Sequence, residues 1–282
     1  MTENSLNLQF DDFTPPSAEW LDRQMAFRKF YFNPVYSGFE NINPDRPSLF
    51  VGNHAIYGMV DSPLVFNGIY QNTGVFVRTL GDHFHYKIPV WGKALIKFGS
   101  VPGTPENCDK LMQSGQHVMV FPGGGREVAK RAGEEHKLFW KQRTGFAKMA
   151  MKYGYDIIPF GSVGCDDAFK IIYDANQFSD SWLGKKLLKN KAFNDLSRNG
   201  DMFMPISRGI GLTSIPKPEK FYIGFGKPIS TESYVDQYEN KDAQWEVREQ
   251  VANSINAMIA KLQTEKAADT DKSWLRKQLT RV

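Results

Sequence analysis

Val118-Met119-Val120-Phe121-Pro122-Gly123-Gly124-Gly125-Arg126-Glu127 is an apolar run that enters three consecutive glycines and leaves them on an Arg-Glu pair. The apolar part fits a short buried strand, and Pro-Gly punctuates its end. Three glycines cost backbone entropy, so a chain keeps them where it must turn sharply or let a ligand come close. Taken alone, the segment is either a tight turn or a ligand-binding loop. Its neighbours in sequence give it context. Upstream, the apolar run Ser48 to Gly52 ends at Asn53-His54, and downstream Asp156 to Val163 contains Ile158-Pro159-Phe160.

Between and around these runs, strand-like and helix-like patterns alternate. The spacing predicts helices over Ala18 to Phe32, capped by Ser17; over Asp61 to Tyr70, capped by Asp61 or Ser62; over Pro89 to Phe98; over Pro105 to Ser114, opened by Thr104; over Leu138 to Tyr153; and over Asp242 to Thr264. Strands are predicted at Ser48 to Gly52, Val75 to Thr79, His117 to Phe121, Asp156 to Val163 and Tyr222 to Gly226. Such alternation implies an α/β fold, a mixed and largely parallel sheet flanked by helices. Residues 1–17 read as a flexible N-terminus and 18–282 as a single domain with a helical N-terminal segment. Residues 173–218 break the pattern and read as a lysine-rich insertion. Within it, Trp182-Leu183-Gly184-Lys185-Lys186-Leu187-Leu188-Lys189-Asn190-Lys191 is either an interfacial helix or a solvated surface helix.

Composition narrows the classes. A chain of 282 residues with 41% apolar and 13% aromatic residues can bury a sizeable core. The net charge of +4, without a long Lys/Arg tract, does not indicate nucleic acid. Two cysteines, Cys108 and Cys165, form neither a metal-ligand spacing nor a disulfide framework. The polar, acidic N-terminus is not a signal peptide, and no run approaches the ~18 apolar residues that span a bilayer. The expected location is therefore cytoplasmic, with any membrane association peripheral.

His54 follows a strand and has Asp61 seven residues on. An imidazole near a carboxylate suits general-base work, and the same pair equally describes a structural histidine beside a helix cap. Arg126 leaves a glycine loop, where it either binds substrate or pairs with Glu127. His83 and His85 stand one residue apart, but no further His/Cys cluster completes a metal site, and none is expected.

The order of these pieces resembles the glycerolipid (lysophospholipid) acyltransferase superfamily over about residues 48–230. Asn53-His54 is similar to the start of its Asn-His-x4-Asp motif, but the fifth residue after His54 is Met59 and the acid, Asp61, comes two later. Pro89-Val90-Trp91-Gly92 falls between, and the stretch 99–107 lacks the arginine that usually ends the second block. The third block, Phe-Pro-Glu-Gly-Thr-Arg in the family, carries Gly123 and Gly125 in place of glutamate and threonine, while Gly124 and Arg126 match and Glu127 follows. This variant resembles the branch that esterifies neutral acceptors such as diacylglycerol or long-chain alcohols. Losing an arginine that would clasp a phosphate bidentately points the same way, although Arg78, Lys87, Lys93 or Arg143 could replace it.

The resemblance implies an O-acyltransferase moving a fatty acyl group from acyl-CoA or acyl-carrier protein to a lipid hydroxyl at a membrane surface, without a cofactor. His54 would be the general base and Asp61 its orienting carboxylate. Asn53, Gly123, Gly124, Gly125, Arg126 and Glu127 would bind substrate, with the glycine N–H groups holding the oxyanion. Two alternatives remain: a lipid ester hydrolase, although no Gly-x-Ser-x-Gly elbow exists, and a non-catalytic binder of anionic lipid.

Overall fold

Ser48–Gly52 (β2) shows why the chain folds as it does. All five of its residues are buried, as expected of a central strand covered on both faces. Leu49 and Val51 enter one apolar cluster and Phe50 the other. Each such side chain, fully buried, contributes about 1.5–3 kcal/mol. The computed structural model describes residues 13–197, 202–271 and 273–280.

Around β2 lies a seven-stranded sheet in the order β1-β9-β6-β2-β5-β3-β4. Its members are Val35–Ser37 (β1), β2, Val77–Gly81 (β3), Val101–Pro102 (β4), His117–Val120 (β5), Asp156–Val163 (β6) and Tyr222–Phe225 (β9). Every pairing is parallel except β6 with β9. Lys170–Tyr173 (β7) and Ile206–Arg208 (β8) form a separate antiparallel ribbon.

Helices cover both faces. Ala18–Phe32 (α1) and Asp61–Thr73 (α2) pack on one side. Pro105–Gln113 (α5), Gly145–Tyr153 (α7) and Lys241–Ala268 (α11) pack on the other. The caps follow the sequence: Ser17 Oγ accepts from Trp20 N–H, Thr104 Oγ1 from Asn107 N–H, and Asn240 opens α11, each cap worth about 1 kcal/mol. Between α2 and α5 lie His83–Tyr86 (α3) and Pro89–Lys97 (α4), and Gly125–Val128 (α6) follows the glycines. No helix among the described residues is long and apolar enough to cross a membrane.

Three expectations need correction. Leu138 to Thr144 is not helix, and α7 starts only at Gly145. The apolar residues there point inward from an irregular path, Lys141 has φ +50°, and Trp140 is buried against Phe146. Asp61 does not cap α2, because Val60 holds that position and the Asp61 carboxylate is used elsewhere. The N-terminal segment is packed from Phe13 onward: Phe13 meets the Phe76 ring and Pro16 O accepts from Tyr70 OH. Residues 1–12 lie outside the described residues.

The insertion consists of β7, three short helices at Ala175–Asp180 (α8), Trp182–Leu188 (α9) and Lys191–Leu196 (α10), and β8. A final helix, Trp274–Thr280 (α12), follows α11.

Candidate active site

The strand order itself makes a crevice. From β2 the chain runs to β3, beyond β5; from β5 it crosses to β6, on the other side of β2. The segments leaving the carboxyl ends of β2 and β5 therefore diverge, and ligands of open α/β sheets bind at such a point. Val51 pairs with Val120, so Asn53-His54 and Phe121-Pro122-Gly123 emerge side by side.

Asn53 ties the first segment to β6. Its side-chain amide donates to Ser162 O (3.0 Å) and its oxygen accepts from Ser162 N–H (2.8 Å). Expected as a substrate ligand, Asn53 is buried with these groups spent inside the protein. His54 then leaves the sheet with its ring stacked on Phe121, centroids 4.0 Å apart. Tyr57 and Gly58 both adopt left-handed φ, +63° and +64°. That turn absorbs the two extra residues of the His54–Asp61 spacing and returns Asp61 to the histidine. His54 Nδ1 lies 3.9 Å from Asp61 Oδ2.

Asp61 is fully buried. Burial pushes its pKa up, but His54 and the N–H groups of Ala55 and Ser62 outweigh it, and the net direction is down. A carboxylate so held is an anion at neutral pH. The other edge of the imidazole faces Gly58, where a Cβ would overlap His54 Cε1 and Nε2. Any side chain at position 58 would press on that edge, and the His54 side chain keeps 15% exposure.

In the second segment each glycine has its own cause. Gly124 has φ +48°, and its N–H closes the turn on Phe121 O (3.0 Å). A Cβ on Gly123 would overlap the Glu127 side chain, and one on Gly125 would overlap the Met202 sulfur. Arg143, from the irregular stretch before α7, donates to Pro122 O (2.6 Å) and Gly123 O (2.8 Å).

Glu127 corrects the sequence reading. It is wholly buried, not on the wall of the crevice. Its carboxylate accepts from His54 N–H (3.0 Å) and Phe139 N–H (2.9 Å), which also explains why residues 138–144 leave the helical path. Arg126 pairs with Glu134, not Glu127, and lies over the Phe139 ring. Of the candidates to replace the missing arginine, Arg78 is buried and donates to Gly99 O (2.8 Å), with burial lowering its pKa to about 10. Arg143 is committed to the glycine turn, and Lys87 and Lys93 are exposed.

Sequence reasoning passed over several residues that build this site. Lys130 and Asp166 are buried beside His54, and Tyr57 reaches the insertion, donating its hydroxyl to Pro205 O (2.8 Å) and lying 2.7 Å from Ser207 Oγ. The insertion thus covers the glycine turn through Met202 and is hooked to the histidine loop through Tyr57. Only the positive-φ requirement at Gly58 left a mark in the sequence. Of the other histidines, His117 Nδ1 accepts from Ser48 N–H, His136 N–H donates to Asp166 Oδ2 (2.8 Å) with its Nε2 3.1 Å from Asp167 Oδ1, and His85 lies near enough to His54 for the two to interact electrostatically.

Residues 33–163 match the acyltransferase family model. Phytyl ester synthase 2 and phytyl ester synthase 1 of Arabidopsis thaliana, both named as chloroplastic, are 32% and 30% identical to this chain over 87% and 89% of its length. The chain spans 36% and 40% of these two relatives. The crystal structure of the 1-acyl-sn-glycerophosphate acyltransferase PlsC from Thermotoga maritima is similar at TM-score 0.47 and 19% identity, covering 90% of this chain and 83% of that one. The match to the acyltransferase family thus covers residues 33–163, the stretch that holds the histidine and glycine segments at adjacent strand ends.

Proposed function

We propose that this protein transfers a fatty acyl group from a thioester, acyl-CoA or acyl-carrier protein, to the hydroxyl of a neutral lipid alcohol. The observation that carries the reading is the environment of His54: a buried carboxylate 3.9 Å from Nδ1 and, at the Nε2 edge, a glycine in place of any side chain that would collide with the ring. With its proton on Nδ1, His54 accepts the hydroxyl proton at Nε2 as the oxygen attacks the thioester carbonyl. The Nδ1–Asp61 separation shortens as the imidazolium forms. The tetrahedral oxyanion is met by the Gly123 and Gly125 N–H groups, which have no hydrogen-bond partner among the described residues. Collapse breaks the C–S bond, and the departing thiolate takes the proton back from His54. Gly124 has no part in the oxyanion hole, because its N–H closes the turn.

A neutral acceptor is favoured because Arg78, Arg126 and Arg143 all direct donors at protein groups. The name of the plant relatives, ester synthases of a long-chain alcohol, supports it. The lipid substrates call for a membrane surface. Exposed Phe27 and Phe30 on α1, and Trp182 beside Lys185 and Lys186, support peripheral docking there.

The test offers labelled palmitoyl-CoA to purified protein with phytol, diacylglycerol and lysophosphatidic acid side by side. Ester on phytol or diacylglycerol, lost in His54→Ala, is the expected result. Ester only on lysophosphatidic acid overturns the neutral acceptor, and release of free fatty acid without ester overturns transfer.

A further inference from the structure

Four polar groups of the backbone from His54 to Ile56 are taken by charged side chains. Glu127 accepts the His54 N–H, Lys130 Nζ donates to the His54 carbonyl (2.6 Å), Asp61 accepts the Ala55 N–H (3.1 Å), and Asp166 accepts the Ile56 N–H (2.8 Å). Lys130 Nζ also lies 3.0 Å from Asp166 Oδ2. Lys130 is 1% exposed and Asp166 4%. Buried ion pairs are poor sources of net stability, because desolvating both charges offsets their attraction. A loop that needed only satisfied backbone groups would find them more cheaply in main-chain partners.

The geometry of one peptide unit gives this arrangement a purpose. The His54 carbonyl and the Ala55 N–H belong to the same rigid plane and point in opposite directions. Lys130 grips one end of that plane and Asp61 the other. Rotating the plane breaks both bonds at once and releases the carboxylate that stands beside the imidazole. We propose that Lys130, held by Asp166, is a positioning residue that locks the His54–Ala55 peptide and thereby keeps Asp61 and His54 in register. This rests on His54 being the general base. Neither Lys130 nor Asp166 touches substrate; each acts through the loop.

The experiment compares Lys130→Met and Asp166→Asn with Thr231→Val. Thr231 is buried on the far side of α7, donating to Ala150 O and Tyr155 O, and serves as a control for a lost buried hydrogen bond away from the crevice. Two readouts are taken on each variant: kcat and KM with palmitoyl-CoA and phytol, and deuterium exchange of the 53–58 segment. Lys130→Met is expected to lower kcat at least tenfold, leave KM for palmitoyl-CoA within twofold, and speed exchange at 54–58 selectively. Asp166→Asn follows in the same direction with a smaller effect, and decides the matter if Lys130→Met does not fold. Thr231→Val lowers the melting temperature without changing kcat or exchange at 54–58. Unchanged exchange at 54–58 in folded Lys130→Met, or a uniform rise across the chain, overturns the proposal. If His54→Ala retains transfer, the general-base reading fails instead, and the exchange data still decide whether Lys130 locks the loop.

Discussion

The histidine loop and the insertion are both irregular segments that meet over the same crevice, yet they are held in opposite ways. Residues 53–61 are fastened by buried Glu127, Lys130, Asp166 and Asp61, and by the paired hydrogen bonds of Asn53. The insertion presents Trp182, Leu183, Met204, Ile206, Leu212 and Ile215 to solvent, and four lysines with no acid lie between 182 and 191. It meets the site through Tyr57 and Met202. Placing charges in the interior gives a loop one geometry; leaving apolar side chains outside gives a segment a surface for lipid. The general base proposed for His54 needs the first, and the membrane docking proposed for the insertion needs the second.

The largest effect expected from breaking this contrast is at His54 itself. His54→Ala should cut transfer by about 10²–10⁴-fold, the usual contribution of a general base, with the melting temperature little changed; steady-state rates and a thermal melt check both. Next comes Glu127→Ala. It leaves the His54 and Phe139 N–H groups unpaired in the interior, so stability should fall by about 1–3 kcal/mol for each, read by urea titration.

Acid should loosen the ion pairs of Asp167, next in sequence to Asp166, ahead of the insertion's exposed face. Asp167 is partly buried, which raises its pKa, but His136 and Lys266 more than reverse this and hold it well below the usual carboxylate value. A depressed folded pKa contributes stability that is whole above the unfolded value of 3.8 and is lost as pH falls below it. The parent should therefore lose stability below that pH more steeply than Asp167→Asn, in melts taken from pH 5 downward. The smallest effect on folding belongs to the insertion. Trp182→Ser, at a side chain 76% exposed, should shift stability by no more than about 0.5 kcal/mol while weakening sedimentation with anionic vesicles. A large loss of stability in that variant would erase the contrast.

Much of the frame was legible in the residues. The runs at 48–52, 117–120 and 156–163 became neighbouring parallel strands, and Ser17 and Thr104 capped helices where expected. These signals are local: apolar runs, caps and prolines act within a few residues of themselves. The stretch 138–144 misled because its apolar residues mimic a helical face, whereas Phe139 N–H and the Arg143 guanidinium are spent on Glu127 and on the glycine turn. No local pattern announces such partners.

The site divides the same way. That His54 and the glycine block matter is readable from residue type and order, since imidazole beside a carboxylate and consecutive glycines are rare and chemically specific choices. Whether Asp61 could reach His54 across the lengthened spacing was not readable. The answer came from two left-handed residues at Tyr57 and Gly58 and from a loop held by side chains far along the chain, Lys130 76 positions from His54 and Asp166 110 positions from Ile56. Buried charges carry no periodicity and look in sequence like surface. Only folding, by withdrawing them from water, makes each one find its opposite and so turns them into the parts that aim the histidine.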